Sequence, residues 1–372
     1  MQGGTSFRMR AGQLFCACDS DGLPLAVGRE PDPASIRVMA LAFALSVLAQ
    51  ILTVSVLPLV SAPLAPTPQA VAWPTIALLA GGALSSFPAS LLLDLFGRRA
   101  AFALGASLGL AGGVMSYWAV LHGQYIGLVI GVAWLGMAQG FGLFYRHAGA
   151  MASQGGAGTV FAAGTGAAVL APVLMGGMDS LFGPLAAAGI LALAGLVYLL
   201  TLGVAIRLPA RKIGYEEADT NPDRPALTAM LGATALAGLA WAVMTGVMAH
   251  APLVMAGCGV GFSASAVGMA LHLMAMYAPG LVIGRWVAAW GGLRVSLAGL
   301  LLLVAGAVLL SLQTAFSGLT LALVVAGAGW GIATIGASAW LHQGAQPSPM
   351  QLARHDMLLF VSAIAGAATL GF

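Results

Sequence analysis

Of the 372 residues, 60% are hydrophobic and only 7% charged, and the formal net charge is +3. A soluble domain carries roughly a quarter charged residues, so this chain cannot cover a water-facing surface; its mean hydropathy is +0.97. With so few charges, +3 is no nucleic-acid signal and no nucleic-acid partner is expected; what matters is where the basic residues fall.

Residues 1–37 are polar, contain Gly and Pro and lack periodicity, which predicts a flexible N-terminal tail. It is not a secretory leader, because the apolar run after Arg37 is too long and no small-residue cleavage site follows. Cys16 and Cys18, with no further Cys or His nearby, make a poor metal site. No metal or other cofactor is expected.

Apolar runs of about 20 residues, the length that crosses a hydrocarbon core, then recur. The predicted spans are 38–62, 71–93, 100–121, a fourth ending near Tyr145, 157–176 and 183–206. Arg146 and the residues up to 156 read as a loop, as do Met178, Asp179 and Ser180. The polar segment 207–226, with Arg211, Lys212, Glu216, Glu217, Asp219, Asp223 and Arg224, divides the chain. Spans 227–249, 262–284, 295–313, 316–341 and 355–372 follow. The expected fold is an all-α polytopic membrane protein of two bundles, residues 38–206 with six helices and 227–372 with five.

The basic residues fix the expected orientation. With the N-terminus in the cytoplasm and strict alternation, all 14 fall inside: Arg8, Arg10, Arg29, Arg37, Arg98, Arg99, Arg146, Arg207, Arg211, Lys212, Arg224, Arg285, Arg294 and Arg354. That asymmetry is the positive-inside signature.

The joint between the second and third spans reads Asp94-Leu95-Phe96-Gly97-Arg98-Arg99. A tight turn needs Gly97 for close backbone approach, and Asp94 can face a helix N-terminus or a basic side chain. The corresponding joint in the second half carries Gly284, Gly291 and Arg294. Parallel repeats of this kind place a substrate site near midplane, where the halves meet.

On these residues the chain resembles the major facilitator superfamily, whose loop after helix two reads Gly-x-x-x-Asp-Arg-x-Gly-Arg-Arg. Ser90 and Leu95 depart from that pattern, and Ala288 stands where the second copy would hold its acid. Phe144-Tyr145-Arg146, the segment 272–279 and Arg354-His355-Asp356 are similar to an uncharacterised bacterial subgroup. The resemblance implies a monomeric secondary or facilitative transporter in a bacterial inner membrane, with the lipid bilayer and a small-molecule substrate as its partners. It implies a conformational latch at Asp94, Gly97, Arg98, Arg99, Gly284, Gly291 and Arg294.

It also implies a cavity lined from the first, fourth, seventh and tenth helices, helped by their neighbours. Polar and aromatic candidates there are Gln50, Thr53, Trp134, Gln139, Trp241, Thr245, His272, Tyr277, Trp330 and Thr334. Each threonine has an alternative in bonding its own helix backbone, and each tryptophan in sitting at the membrane interface. His272 reads as the one histidine well inside a span; the other five fall at helix ends or loops and receive no role. Arg146 and Asp356, near cytoplasmic ends, are gate candidates.

No charged residue falls at the centre of a span, which argues against proton coupling, and Gly136 stands where the family often has Arg. Residues 171–177 are similar to the family's antiporter motif with a longer spacing, a hint of export. The uncharged, aromatic lining favours a neutral or amphipathic organic solute. No phosphate-binding loop or paired intramembrane carboxylates point to an enzyme. The rivals are a transport-inactive sensor or scaffold and, more distantly, a membrane-embedded transferase. The family has twelve helices and the sequence stops in its eleventh, so an incomplete second bundle is expected.

Overall fold

The computed structural model describes residues 33–152, 155–209, 227–343 and 347–370. The tail and most of the central loop therefore lie outside the described residues. The first half holds α1 (Pro33–Ser61), α2 (Trp73–Leu121), α3 (Tyr125–Ala152), α4 (Gly156–Ala162), α5 (Gly164–Phe182) and α6 (Ala186–Ala205). The second holds α7 (Leu227–Gly257), α8 (Phe262–Tyr277), α9 (Gly280–Trp290), α10 (Gly292–Leu312), α11 (Phe316–Leu341) and α12 (Pro349–Leu370). Most are apolar on every side, as helices buried in protein or lipid are, and each satisfies its own backbone, as a bilayer demands.

Gly97 breaks α2 into two arms, with φ 82 and ψ 177. α4 and α5 run as one pass, as do α8 and α9, so the described residues make eleven helical passes, six before the central loop and five after. Ten of these lie in segments long and apolar enough to cross a membrane, and α12 does not. Gly291 repeats the Gly97 conformation, with φ 79 and ψ 156. That region of backbone space is essentially open to glycine alone. Both joints are thus single-residue reversals built the same way.

A second correspondence lies in the packing. Gly136 and Gly140 stand eleven and fifteen residues after the start of α3, and Gly327 and Gly331 hold the same places in α11. A Cβ on Gly136 would collide with the Leu78 carbonyl of α2, and one on Gly331 with the Met276 carbonyl of α8. Such small-residue stripes let backbones close up where dispersion drives association. The halves meet along two seams, α12 against the first arm of α2 and α5 with α4 against α8 and α9. At the second seam Gly158 and Gly280 approach backbone to backbone.

Several predicted boundaries move: α7 runs on to Gly257 and α9 to Trp290, past the expected 249 and 284, and three further shifts have local causes. α12 begins at Pro349 rather than near 355, because Ser348 and Gln351 form a reciprocal capping box: the Ser348 N–H donates to Gln351 Oε1 at 2.8 Å and the Gln351 N–H to Ser348 Oγ at 3.3 Å. α3 runs on through Arg146 to Ala152, since the arginine is paired inside the protein. α5 continues through Met178, Asp179 and Ser180 to Phe182, because this end is exposed and Ser180 Oγ donates to the Gly177 carbonyl at 2.9 Å.

Candidate functional site

By the alternation of the helices, the described arginines Arg37, Arg98, Arg99, Arg146, Arg207, Arg285, Arg294 and Arg354 all fall at the end where α1 begins, here termed the basic face. The longer α3 and α12 carry Arg146 and Asp356 a turn or two inside that face, at about 1.5 Å per residue. Both side chains are buried, at 1% and 0% exposure. Arg146 Nη2 donates to Asp356 Oδ1 at 2.6 Å, Nε to Ser338 Oγ of α11 at 3.2 Å, and Nη1 to the Leu143 carbonyl at 3.3 Å. One guanidinium from the first half thereby holds two helices of the second.

Histidines surround this pair. His147 Nε2 lies 3.2 Å from Asp356 Oδ1 and its Nδ1 lies 3.0 Å from His342 Nε2, just past the end of α11. His355 Nδ1 lies 2.9 Å from Thr234 Oγ1 of α7. His147 and His355 are fully buried while His342 is half-buried. The expectation that His272 is the one histidine well inside a span is corrected: α3 runs past His147 to Ala152, α12 begins at Pro349 before His355, and His250 lies within α7. The Ser348–Gln351 box was the sequence signal that could have placed His355.

About two turns deeper, an aromatic layer fills the interface. Phe43 of α1 and Phe161 of α4 face Tyr277 of α8 and Trp330 of α11, with Phe161–Trp330 centroids 5.8 Å apart and Phe161–Tyr277 5.0 Å. Trp241 of α7 extends the layer, 5.7 Å from Trp330 and 5.4 Å from Phe360 of α12. Trp330, Thr334 and Ser338 recur every fourth residue, so α11 presents one face to the first half.

Of the other candidates, Thr53 and Thr245 donate to their own helices, at the Ala49 and Trp241 carbonyls. Gln50 is half-buried and Trp134 is 37% exposed. His272 is buried with Nδ1 2.6 Å from the Leu323 carbonyl, and ties α8 to α11. Gln139 Oε1, Trp241 Nε1 and Thr334 Oγ1 are buried with no hydrogen-bond partner among the described residues. Orphaned polar atoms of this kind are uncommon in proteins.

At the motif, Arg99 Nε donates to the Leu208 carbonyl at 2.7 Å, tying α2 to the end of α6. Ser90 Oγ, one turn before Asp94, donates to the Pro349 carbonyl at 2.5 Å, linking α2 to α12 across the halves. Asp94 is half-buried and makes no ion pair or side-chain hydrogen bond among the described residues. Gly284 is half-buried, and Arg294 is exposed. A small cavity lies away from the seams, within the first half, lined by Ser46, Tyr145, Tyr198 and Thr201 among others.

Two repeated helical bundles thus meet at a polar cluster near the basic face and, deeper, at an aromatic layer. The sequence model of the Major Facilitator Superfamily matches residues 39–370, and the chain belongs to that superfamily of transporters. It is similar to the riboflavin transporter RfnT of Brucella anthropi, 27% identical over 345 residues, covering 88% of this chain and 85% of the relative. It is also similar to the uncharacterised MFS-type transporter YddS of Bacillus subtilis, 28% identical over 327 residues, covering 80% and 75%. Among solved structures, the xylose transporter XylE of E. coli superposes with a TM-score of 0.71 at 14% identity, covering 91% of this chain and 90% of that one. The human organic anion transporter MFSD10 gives 0.70 at 15%, covering 91% and 92%.

Proposed function

We propose that this protein carries a planar, uncharged organic solute of the flavin type across a bacterial inner membrane by alternating access. The halves, residues 38–206 and 227–372, rock about the two seams with the basic face in the cytoplasm. The observation that carries the reading is the interface layer of Phe161, Tyr277, Trp241 and Trp330, with the orphaned Trp241 Nε1 in it and Thr334 Oγ1 one turn from Trp330. The rings of this layer are tilted or edge-on to one another. Such an aromatic lining suits a flat ring system, and unpartnered donors and acceptors suit the imide and carbonyl edge of such a ring. The riboflavin transporter RfnT, similar along most of both chains, supports the same class.

In this reading Arg146 and Asp356 form the cytoplasmic gate, and the Asp94 motif with its second copy at Gly284 to Arg294 is a latch beside it. The basic face is closed in the conformation described, as Ser90–Pro349, Gly158–Gly280 and Arg146–Asp356 all bridge the halves there. The protein acts as a monomer, with no catalytic step.

The test is counterflow of riboflavin in liposomes holding the purified protein. Saturable exchange of labelled for unlabelled riboflavin, absent with xylose, is the expected result. No exchange of any flavin by folded protein would overturn the substrate class, and no exchange of any solute tried would favour a sensor or scaffold.

A further inference from the structure

Two orphaned groups lie level beneath the gate, one from each half. On α3, Gln139 precedes Arg146 by seven residues, two turns of helix, so it lies on the same face, about 10 Å deeper. On α7, which runs the opposite way, Trp241 follows Thr234 by the same seven residues. Arg146 and Thr234 are level with one another, because they contact Asp356 and His355, consecutive residues of α12. Phe360 of α12 spans the two deeper groups. Its ring is 5.4 Å from Trp241, and a Cβ on Gly82 of α2 would collide with it. The Gly82 carbonyl in turn lies against Gly140, the neighbour of Gln139. Both side chains are buried, 5% and 7% exposed, and Gln139 Oε1 and Trp241 Nε1 have no hydrogen-bond partner among the described residues.

We propose that Gln139 and Trp241 are the specificity-determining pair for the solute, and that together they select an imide, a ring N–H beside a ring carbonyl. The proposal rests on the carrier reading above and names the residues that hold the polar edge of the ring. An indole nitrogen donates and never accepts, so Trp241 asks for a carbonyl oxygen. The Gln139 oxygen accepts, and asks for an N–H. A flavin ring carries both groups side by side on one edge. With the acceptor on the first half and the donor on the second, a bound imide bridges the halves, and both hydrogen bonds form only when the halves have come together on it.

The surroundings hold both groups in place. Gly136 and Gly140, on either side of Gln139, are pressed against the Leu78 and Gly82 carbonyls of α2, which fixes that turn of α3. The Trp241 ring is set between Trp330 at 5.7 Å and Phe360 at 5.4 Å. Groups fixed before the solute arrives lose little freedom on binding it. Nearby hydroxyls do not take their place. Thr245 donates to the Trp241 carbonyl, and Thr334 Oγ1, although orphaned, can both donate and accept and so sets no polarity. A solute without the matching group leaves a buried polar atom unpaired, and sites of that kind discriminate strongly.

The test is counterflow by the full-length protein in liposomes with riboflavin and altered flavins. One is methylated at the imide nitrogen, and two carry sulfur, a poorer acceptor, in place of one or the other imide carbonyl oxygen. For the wild type, the half-saturating concentration should be roughly three- to tenfold higher for the N-methyl flavin and for one of the thio-flavins, the scale of one hydrogen bond. Gln139→Met should abolish the preference against the N-methyl flavin and keep that against the thio-flavin. Trp241→Phe should do the reverse. A structural role for either residue would weaken binding of all the flavins alike and leave both preferences intact, and that result would overturn the pair. Equal half-saturation of the wild type by riboflavin and the N-methyl flavin would overturn it too, and that comparison needs no variant to fold. Exchange without these preferences counts against the pair alone, whereas no exchange of any flavin by folded wild type counts against the carrier reading itself.

Discussion

Arg146 and Asp356 are each worth little as sequence and a great deal as a pair. Breaking a buried pair leaves one uncompensated charge and costs about 3–5 kcal/mol, whereas replacing both members by apolar groups can be nearly neutral. Asp356→Ala should therefore lower the unfolding free energy of the purified protein by an amount in that range, read by denaturant titration in detergent. Arg146→Met combined with Asp356→Leu should recover most of it; a double variant as weak as the single would show that neighbouring contacts, not the charge, were lost. At the aromatic layer, an aromatic pair contributes about 0.5–1.5 kcal/mol beyond its area. Trp330→Leu should then raise the half-saturating riboflavin concentration roughly two- to tenfold in counterflow, leaving the yield of folded protein unchanged.

The helices themselves are legible because lipid asks for one thing, a long apolar segment, and ten of the passes supply it. Their ends were less so. Arg146 looked like a loop residue because a charge at a helix end normally meets water, and only the fold brings a carboxylate from 210 positions away to meet it. The start of α12 is readable in Ser348 and Gln351, whereas the apolar run alone begins only after Arg354. Packing between elements explains a further departure. Gly136 stands where the family often carries Arg, and here its α-carbon is pressed against the Leu78 carbonyl. Gly136→Ala should destabilise the α2–α3 contact by about 1–3 kcal/mol, the usual cost of overpacking, measured by thermal denaturation. Gly203, with open space around it, is the control and should tolerate alanine.

Taken whole, the protein is a duplicated design with unequal copies. Both joints keep the glycine-only backbone at Gly97 and Gly291, but Asp94 has no acidic counterpart at Ala288. The interface is likewise shared unevenly, the first half giving the cation Arg146 and the second giving Asp356, Ser338 and the tryptophans. Orientation can be checked with a native residue. Cys258 is exposed between α7 and α8, at the end opposite the basic face. In intact cells carrying Cys16→Ser and Cys18→Ser protein, an impermeant maleimide should label Cys258 without permeabilisation. Labelling only after permeabilisation would place the basic face outside.

The sequence by itself determined the class, the series of long apolar helices and the paired glycine joints at Gly97 and Gly291. Those properties follow from local composition and period, which a bilayer reads one segment at a time. Only the tertiary structure decided which polar residues work together. Thr53 and Thr245 turned back to their own backbones, and His272 tied two helices of one half. His147, His342 and His355, assigned no role from the sequence, gathered around Asp356. Burial makes the difference: a polar group in a dry interface must find a partner or remain unsatisfied, and that partner is set by how helices far apart in the chain are placed against one another.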